Sequence, residues 1–379
     1  MSLDFSLLSR WPDVEDENLH AVDAADRLLL DLASEAGWPA EPGRVVILGD
    51  HYGALVLGAL DAGVRGIRVH QDALSGARAI DANAASLMPG LSGEYRQLPP
   101  GAELLRGATL VLMALPRSLD ALEEMLGFIA EHAEPFVTVM AAGRIKHMNL
   151  SMNQVLGSYF GSVTASLGRQ KSRVLTATGL LPAGQLPATR FPLQQSFPLG
   201  LAKPLELRAY AQTFGGAKLD PGTRFLLEHL EPPAGARRAV DLGCGNGTIG
   251  TYLAVKHPRL SVHACDQSAS AVASTQSTAA ANGVGDRVLA VQDDALGTLP
   301  AASEQLVVLN PPFHMGNTVH AGIALKLIAD AGRVLAPGGE LWCVWNSHLG
   351  YRSQLEKLVG STRQVARNPK FTVTVSTKA

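Results

Sequence analysis

Two short apolar runs, each broken by a glycine turn, constrain this chain more than any other feature. Val45-Val46-Ile47-Leu48 runs into Gly49-Asp50-His51-Tyr52-Gly53, and Ala239-Val240-Asp241-Leu242 runs into Gly243-Cys244-Gly245-Asn246-Gly247. An apolar run that ends in glycines and leads into helix-compatible residues, as Thr248 to Lys256 are, reads as the strand, turn and helix that open a βαβ unit. Two such units in 379 residues, enough chain for two cores, predict an α/β protein with two Rossmann-like domains in tandem.

The two units are not equal. Gly49 aligns with Gly243 and Gly53 with Gly247, but Ile47 stands opposite Asp241 and His51 opposite Gly245. Farther along, Asp72 falls opposite Asp266, and Leu115 with Arg117-Ser118 opposite Asn310 with Pro312-Phe313. This pattern suits a duplication whose N-terminal copy is degenerate, although βαβ packing alone also imposes a shared pattern. The expected domains are residues 1–195 and 196–379, with a proline-rich stretch from Leu180 to Pro204 at the crossing and the linker ending near Phe197. An amphipathic helix is expected from Asn18 to Ala36, and another from Pro221 to Leu230 capped by Asp220.

The second half carries the chemistry. Glycines at Gly243, Gly245 and Gly247 let a backbone approach a ligand closely, although this spacing lacks the third glycine of the dinucleotide fingerprint and is weak alone. Asp266 ends the next apolar run, where a carboxylate can accept from both ribose hydroxyls, with Gln267 beside it. Asp293 and Asp294 end a third run, from Val288. One of them is positioned to accept from an adenine amino group, with Asp294 preferred; solvated loop carboxylates are the plainer reading.

Asn310-Pro311-Pro312-Phe313 follows the apolar run Leu306 to Leu309. An asparagine oxygen and a proline carbonyl can take the two N–H bonds of a planar amine while an aromatic ring stacks on the base that bears it. The tetrad alone is equally compatible with a proline-rich turn.

In this order the motifs VDLGCGNG, CD, DDA and NPPF resemble the class I S-adenosylmethionine-dependent methyltransferases. The resemblance implies that Gly243, Cys244, Gly245, Asn246 and Gly247 form the cofactor loop, that Asp241 orients it, that Asp266 and Gln267 border the ribose and that Asp294 meets the adenine. Asn310, Pro311, Pro312 and Phe313 would grip the acceptor nitrogen, with Asn310 also next to the cofactor. The segment Phe214 to Arg224, His314 after the tetrad and the blunted first domain narrow the likeness to the bacterial ribosomal RNA guanine-N2 methyltransferases. Asn18 to Asp26, Asn346 to Tyr351 and Asn368 to Val373 resemble the large-subunit members more than the small-subunit ones, and Ala217-Lys218 departs from the arginine-containing turn expected there. The implied reaction is methylation of the exocyclic N2 of one guanine in 23S ribosomal RNA, naked or partly assembled. Small-subunit 16S RNA is the first alternative, DNA adenine or a protein glutamine the second, and an RNA chaperone without catalysis the third.

Composition narrows the partners. A net charge of −2 is not that of a protein that coats nucleic acid, so contacts to RNA must be local. Candidate cations are Arg144, Lys146, His147, Arg169, Lys171 and Arg173, and, near the end of the chain, Arg352, Lys357, Arg363, Arg367 and Lys370. The three cysteines, Cys244, Cys265 and Cys343, form no Cys-x-x-Cys pair, and His314 with His320 lacks a third ligand, so neither disulfide nor metal is expected. Without a signal peptide or an apolar stretch of about twenty residues, a cytoplasmic protein free of membrane is expected, as a monomer.

Overall fold

The computed structural model describes residues 3–16, 18–311 and 318–379, with the backbone alone at 318–321. Pro312, Phe313, His314 and the side chain of His320 therefore lie outside the described residues. The chain divides into two compact units, Met1–Arg190 and Phe191–Ala379.

In the first unit five strands run parallel: β1 (Val45–Leu48), β2 (Ile67–His70), β3 (Tyr95–Gln97), β4 (Leu110–Ala114) and β5 (Thr138–Arg144). β6 (Phe160–Ala165) and β7 (Ser172–Leu180) complete the sheet antiparallel, in the order β3-β2-β1-β4-β5-β7-β6. All four residues of β1 are buried, as in a strand covered on both faces. Val45 and Ile47 enter one core with Leu29, Leu55 and Leu57, while Val46 and Leu48 enter the other with Leu126 and Ile129. The first long helix is Ala24–Ala36, shorter than the expected span from Asn18, because Asp23 and Asp26 form a reciprocal capping box that fixes its start.

The second unit opens with β8 (Leu193–Phe197) and β9 (Leu205–Ala209), which pair antiparallel. Part of the expected linker is thus a hairpin, and the division between units falls at 190/191 rather than 195/196. The parallel strands are β10 (Arg238–Leu242), β11 (Ser261–Asp266), β12 (Val288–Gln292), β13 (Glu304–Leu309) and β14 (Leu335–Asn346). With β15 (Gly360–Arg367) and β16 (Phe371–Lys378) the order is β12-β11-β10-β13-β14-β16-β15, strand for strand that of the first sheet.

The likeness extends to side chains. Asn83, in the helix after β2, accepts from the Ser9 amide at 3.0 Å and donates to the Ser9 carbonyl at 2.8 Å. Thr278, in the helix after β11, does the same to Arg208 at 2.9 and 3.0 Å. The two Rossmann-like domains expected from the repeated motif are therefore present, and each pins an upstream segment to the same helix.

In both sheets the strand order reverses beside the strand that carries the glycine turn, which opens a crevice at the carboxyl ends of the strands. In the second unit that crevice lies between β10 and β13, whose last residues, Leu242 and Leu309, are register partners. The glycine loop and Asn310 are neighbours for that reason.

Candidate active site

β10 delivers Asp241 fully buried. Its Oδ2 accepts from the Gly250 amide at 2.8 Å, near the start of the helix Thr248–Lys256, and its Oδ1 is buried without a partner among the described residues. Burial, with a smaller contribution from the Asp266 charge, pushes the carboxyl up to about 7 against the pull of the Gly250 bond.

The loop that follows is pinned from below. Gly243 and Cys244 donate to the Cys265 carbonyl at 2.9 and 3.0 Å, and Gly245 donates to Asp266 Oδ2 at 3.0 Å. The other Asp266 oxygen accepts from the Ser268 amide at 3.0 Å. Gly243, Gly245 and Gly247 all hold positive φ, at 73°, 54° and 77°. A Cβ added at Gly243 or Gly245 would meet nothing within 4 Å, whereas one at Gly247 would lie 2.8 Å from the Thr275 Cα. Two of the three glycines thus border open space, and the third is required by packing.

Asn246 and Cys244 act on the loop itself. Asn246 donates to the carbonyls of Gly216 and Lys218 at 2.9 and 3.0 Å and accepts from the Thr248 amide and hydroxyl, so its carboxamide is saturated within the protein. The Cys244 thiol is buried and held well above its ordinary range by that burial, and it accepts from the Thr275 hydroxyl at 3.2 Å. Neither side chain has an obvious atom left for a ligand. Gln267 is exposed beside Asp266, and its carbonyl accepts from Gln292 at 2.9 Å.

Of the two acidic residues after β12, Asp293 is spent on its own loop. It accepts from the Asp294 amide and from the Thr298 amide and hydroxyl, all between 2.8 and 2.9 Å, and is buried. Asp294 remains partly exposed, and both of its oxygens accept from Lys326 Nζ at 2.6 Å.

Asn310 follows β13 directly. Its Nδ2 donates to Asp220 Oδ2 at 3.0 Å and to Thr223 Oγ1 at 2.9 Å. Pro311 is buried behind it; Pro312 and Phe313 lie outside the described residues. Asp220 does cap the helix that begins at Pro221, accepting from the Thr223 amide at 2.7 Å, but the helix ends at Leu227 rather than Leu230. Sequence reasoning finds the cap and misses its second task. Lys326 is likewise unmarked in the sequence. Nothing local in Asp220-Pro221-Gly222-Thr223 points to an asparagine so distant in the chain.

The segment from Gly216 to Thr223 therefore takes up both amide hydrogens of Asn246 on one loop and both of Asn310 on the other. Together the loops present an open glycine cradle, an orphaned carboxylate oxygen beneath it, a carboxylate at the end of β11 and an amide oxygen at the end of β13.

Residues 204–375 match the family model described as the methyltransferase small domain, and residues 3–180 match the RLMG N-terminal domain. The chain is 38% identical to the ribosomal RNA large subunit methyltransferase G of Stutzerimonas stutzeri, over 98% of this chain and 97% of that one. It is 34% identical to the protein of that name from Streptomyces coelicolor, over 98% of each chain. Among solved structures, the Thermus thermophilus 16S rRNA N2 G1207 methyltransferase in complex with AdoMet and guanosine aligns with a TM-score of 0.72, covering 94% of this chain and 92% of that one. At 21% identity that match speaks for the fold.

Proposed function

The chain belongs to the ribosomal RNA large subunit methyltransferase G family, and from that membership we propose that it methylates the exocyclic N2 of one guanine in 23S ribosomal RNA, with S-adenosylmethionine as cofactor. The observation that carries this reading is the orientation of Asn310: with both amide hydrogens spent on Asp220 and Thr223, its Oδ1 is the end of the carboxamide that has no donor among the described residues.

The residues present fit the cofactor. The cradle at Gly243 and Gly245 is open to a ligand that needs close backbone approach, and the orphaned Asp241 Oδ1 is an acceptor without a donor among the described residues. Asp266, at the end of β11, would accept from the ribose hydroxyls while its two backbone bonds hold the carboxylate in place. Asp294, rather than Asp293, would accept from the adenine amine, sharing its oxygens with Lys326. When bound, S-adenosylmethionine supplies the electrophilic methyl group.

The guanine N2 lone pair is delocalised into the ring, and the amine is a poor nucleophile. Asn310 Oδ1 and the Pro311 carbonyl would accept its two N–H bonds, favouring a pyramidal nitrogen and gaining strength as positive charge develops there. Phe313 would stack on the base. Removing a guanine from its stack costs a few kcal/mol, least in an unpaired strand, so a locally open RNA is the expected acceptor.

The first domain supplies contacts to RNA in this proposal. Burial and then the cations Arg117, Lys146 and Arg144 hold the His147 imidazole below its ordinary range, which identifies a basic cluster at the carboxyl ends of β4 and β5. Arg117, Arg144, Lys146, Lys171 and Arg173 make no ion pair among the described residues, while Arg169 pairs with Asp31 and, in the second domain, Arg352 with Glu356. The described helices include none long and apolar enough to cross a membrane. With ribosomal RNA as acceptor, we infer that the protein works in the cytoplasm, as a monomer.

The deciding experiment is methyl transfer from labelled S-adenosylmethionine to deproteinised large-subunit RNA, small-subunit RNA, duplex DNA and release-factor protein, with digestion of the product to nucleosides. Label in N2-methylguanosine from the large-subunit RNA is the expected result. Label on a carbon or a ribose oxygen, or in DNA or protein alone, refutes the reading.

A further inference from the structure

We propose that Asp220 and Thr223 are positioning residues for methyl transfer: they lock the Asn310 carboxamide so that its oxygen, and never its nitrogen, meets the acceptor amine. This inference rests on the role given to Asn310 above and adds what makes that role possible.

A carboxamide is nearly symmetric in shape, and turning it over exchanges a lone-pair acceptor for two N–H donors. Turned over, Asn310 would meet the guanine amine donor to donor and would grip nothing. Asp220 removes that option. Its carboxylate only accepts, and its Oδ2 lies 3.0 Å from the Asn310 amide nitrogen, so a turned carboxamide would set two acceptor oxygens against each other. Thr223 Oγ1, at 2.9 Å, takes the second amide hydrogen. With both donors committed, rotation in either sense breaks a hydrogen bond.

Three features make this a built arrangement. Asp220 Oδ2 is itself fixed, because it also accepts from the Thr223 amide at 2.7 Å as the cap of the helix Pro221–Leu227. Thr223 is buried, so its hydroxyl is held by packing. Gly222 between them is closely packed: a Cβ there would lie 3.0 Å from Asp220 Oδ2 and 3.2 Å from the Phe371 ring, so those neighbours would have to give way. The dyad also has an electronic effect. Donation from Nδ2 to a carboxylate shifts electron density toward Oδ1, which strengthens it as an acceptor while the amine gains positive charge.

The test compares variants at Thr223 and Asn310 with the wild type for kcat, KM for RNA, S-adenosylmethionine affinity by calorimetry, and thermal midpoint. Thr223→Val keeps the shape and removes one acceptor. Loss of a single well-placed hydrogen bond should lower kcat by about tenfold, with cofactor affinity unchanged. Asn310→Asp sets a carboxylate against Asp220 and should lose most activity. Thr223→Ser, which keeps the hydroxyl acceptor, should retain a kcat near that of the wild type. A merely structural dyad would move the thermal midpoint and leave kcat, measured well below that midpoint, the same in Thr223→Val and Thr223→Ser. Unchanged kcat in Thr223→Val, or a loss in Thr223→Ser as large as in Thr223→Val, overturns the positioning role. Full activity in Asn310→Ala would instead overturn the reading of the acceptor site itself.

Discussion

Gly245→Ala and Gly247→Ala separate binding from folding within one loop. Both positions hold positive φ, at 54° and 77°, where an L residue with a Cβ pays about 1–2 kcal/mol. There the resemblance ends. A Cβ at Gly247 would lie 2.8 Å from the Thr275 Cα and 3.1 Å from its Cβ and Cγ2, so the helix after β10 must move off the helix after β11, an overpacking cost of roughly 1–3 kcal/mol more. At Gly245 the added methyl meets no protein atom within 4 Å. In a unit of this size each kcal/mol lowers the melting midpoint by about 2–4 °C, so Gly247→Ala should fall by roughly 5–15 °C and Gly245→Ala by only a few degrees. Cofactor affinity should show the reverse order. The Gly245 methyl projects into the open cradle and should weaken S-adenosylmethionine by about tenfold or more, whereas Gly247→Ala, measured well below its midpoint, should bind within a few fold of wild type. Calorimetric titration and thermal unfolding on the same preparations suffice. Wild-type affinity in Gly245→Ala would refute the assignment of this loop to the cofactor, and a wild-type midpoint in Gly247→Ala would refute the packing argument.

Asp241 gives a pH signature: its folded carboxyl is raised to about 7 from 3.8, so between those values the folded chain keeps a proton that the unfolded chain has lost, and stability falls as pH rises across that window. The contribution is on the order of 4 kcal/mol, and denaturant titrations of Asp241→Asn from pH 4 to 8 without cofactor should lack that slope; an identical profile removes the assignment. Replacing Arg117, Arg144 and Lys146 by glutamine should weaken RNA binding and flatten its logarithmic dependence on salt by up to about 0.7–0.9 for each phosphate no longer neutralised, and filter binding at several salt concentrations that finds an unchanged slope would exclude the cluster from the RNA path. Calorimetry should count one S-adenosylmethionine per chain, and two sites of similar affinity would contradict a degenerate first domain.

What the sequence made legible was whatever is written locally. The apolar runs, their glycine turns and the Asp220 cap have short-range causes, and strands, loops and cap appear where those causes put them. The fold of both domains followed from one pattern seen twice. Apolar periodicity at Leu19 and Val22 carries the expected first helix past the true start of Ala24–Ala36, because the capping box at Asp23 is a shorter but stronger signal. The β8 strand was hidden because its residues are largely exposed and include two glutamines, so it carries no buried-strand pattern. Long-range hydrogen bonds left no trace at all. Lys326 on Asp294 and Asp220 on Asn310 join residues separated by 32 and 90 positions, and only the strand order brings them together.

The two glycine loops differ in where the helix that follows finds its acceptor. In both, a buried carboxylate satisfies the amide of the third helical residue, Gly250 in one and Val56 in the other. In the second domain that carboxylate comes from the strand, and one oxygen of Asp241 has no partner among the described residues beneath an open cradle. In the first domain Ile47 occupies the strand position, and the carboxylate comes from within the loop. Asp50 is buried and takes both Gly53 and Val56, at 3.0 and 2.7 Å. Burial pushes the Asp50 carboxyl up while those amides pull it down, and a helix N-terminus that would attract a ligand is satisfied by the loop itself. His51 holds no positive φ where Gly245 does, so the middle of the turn follows another path. The helix start takes a carboxylate acceptor in either domain, Asp241 from the strand in one and Asp50 from the loop in the other, and Leu115, which stands opposite Asn310, has no side-chain polar atom to offer an amine.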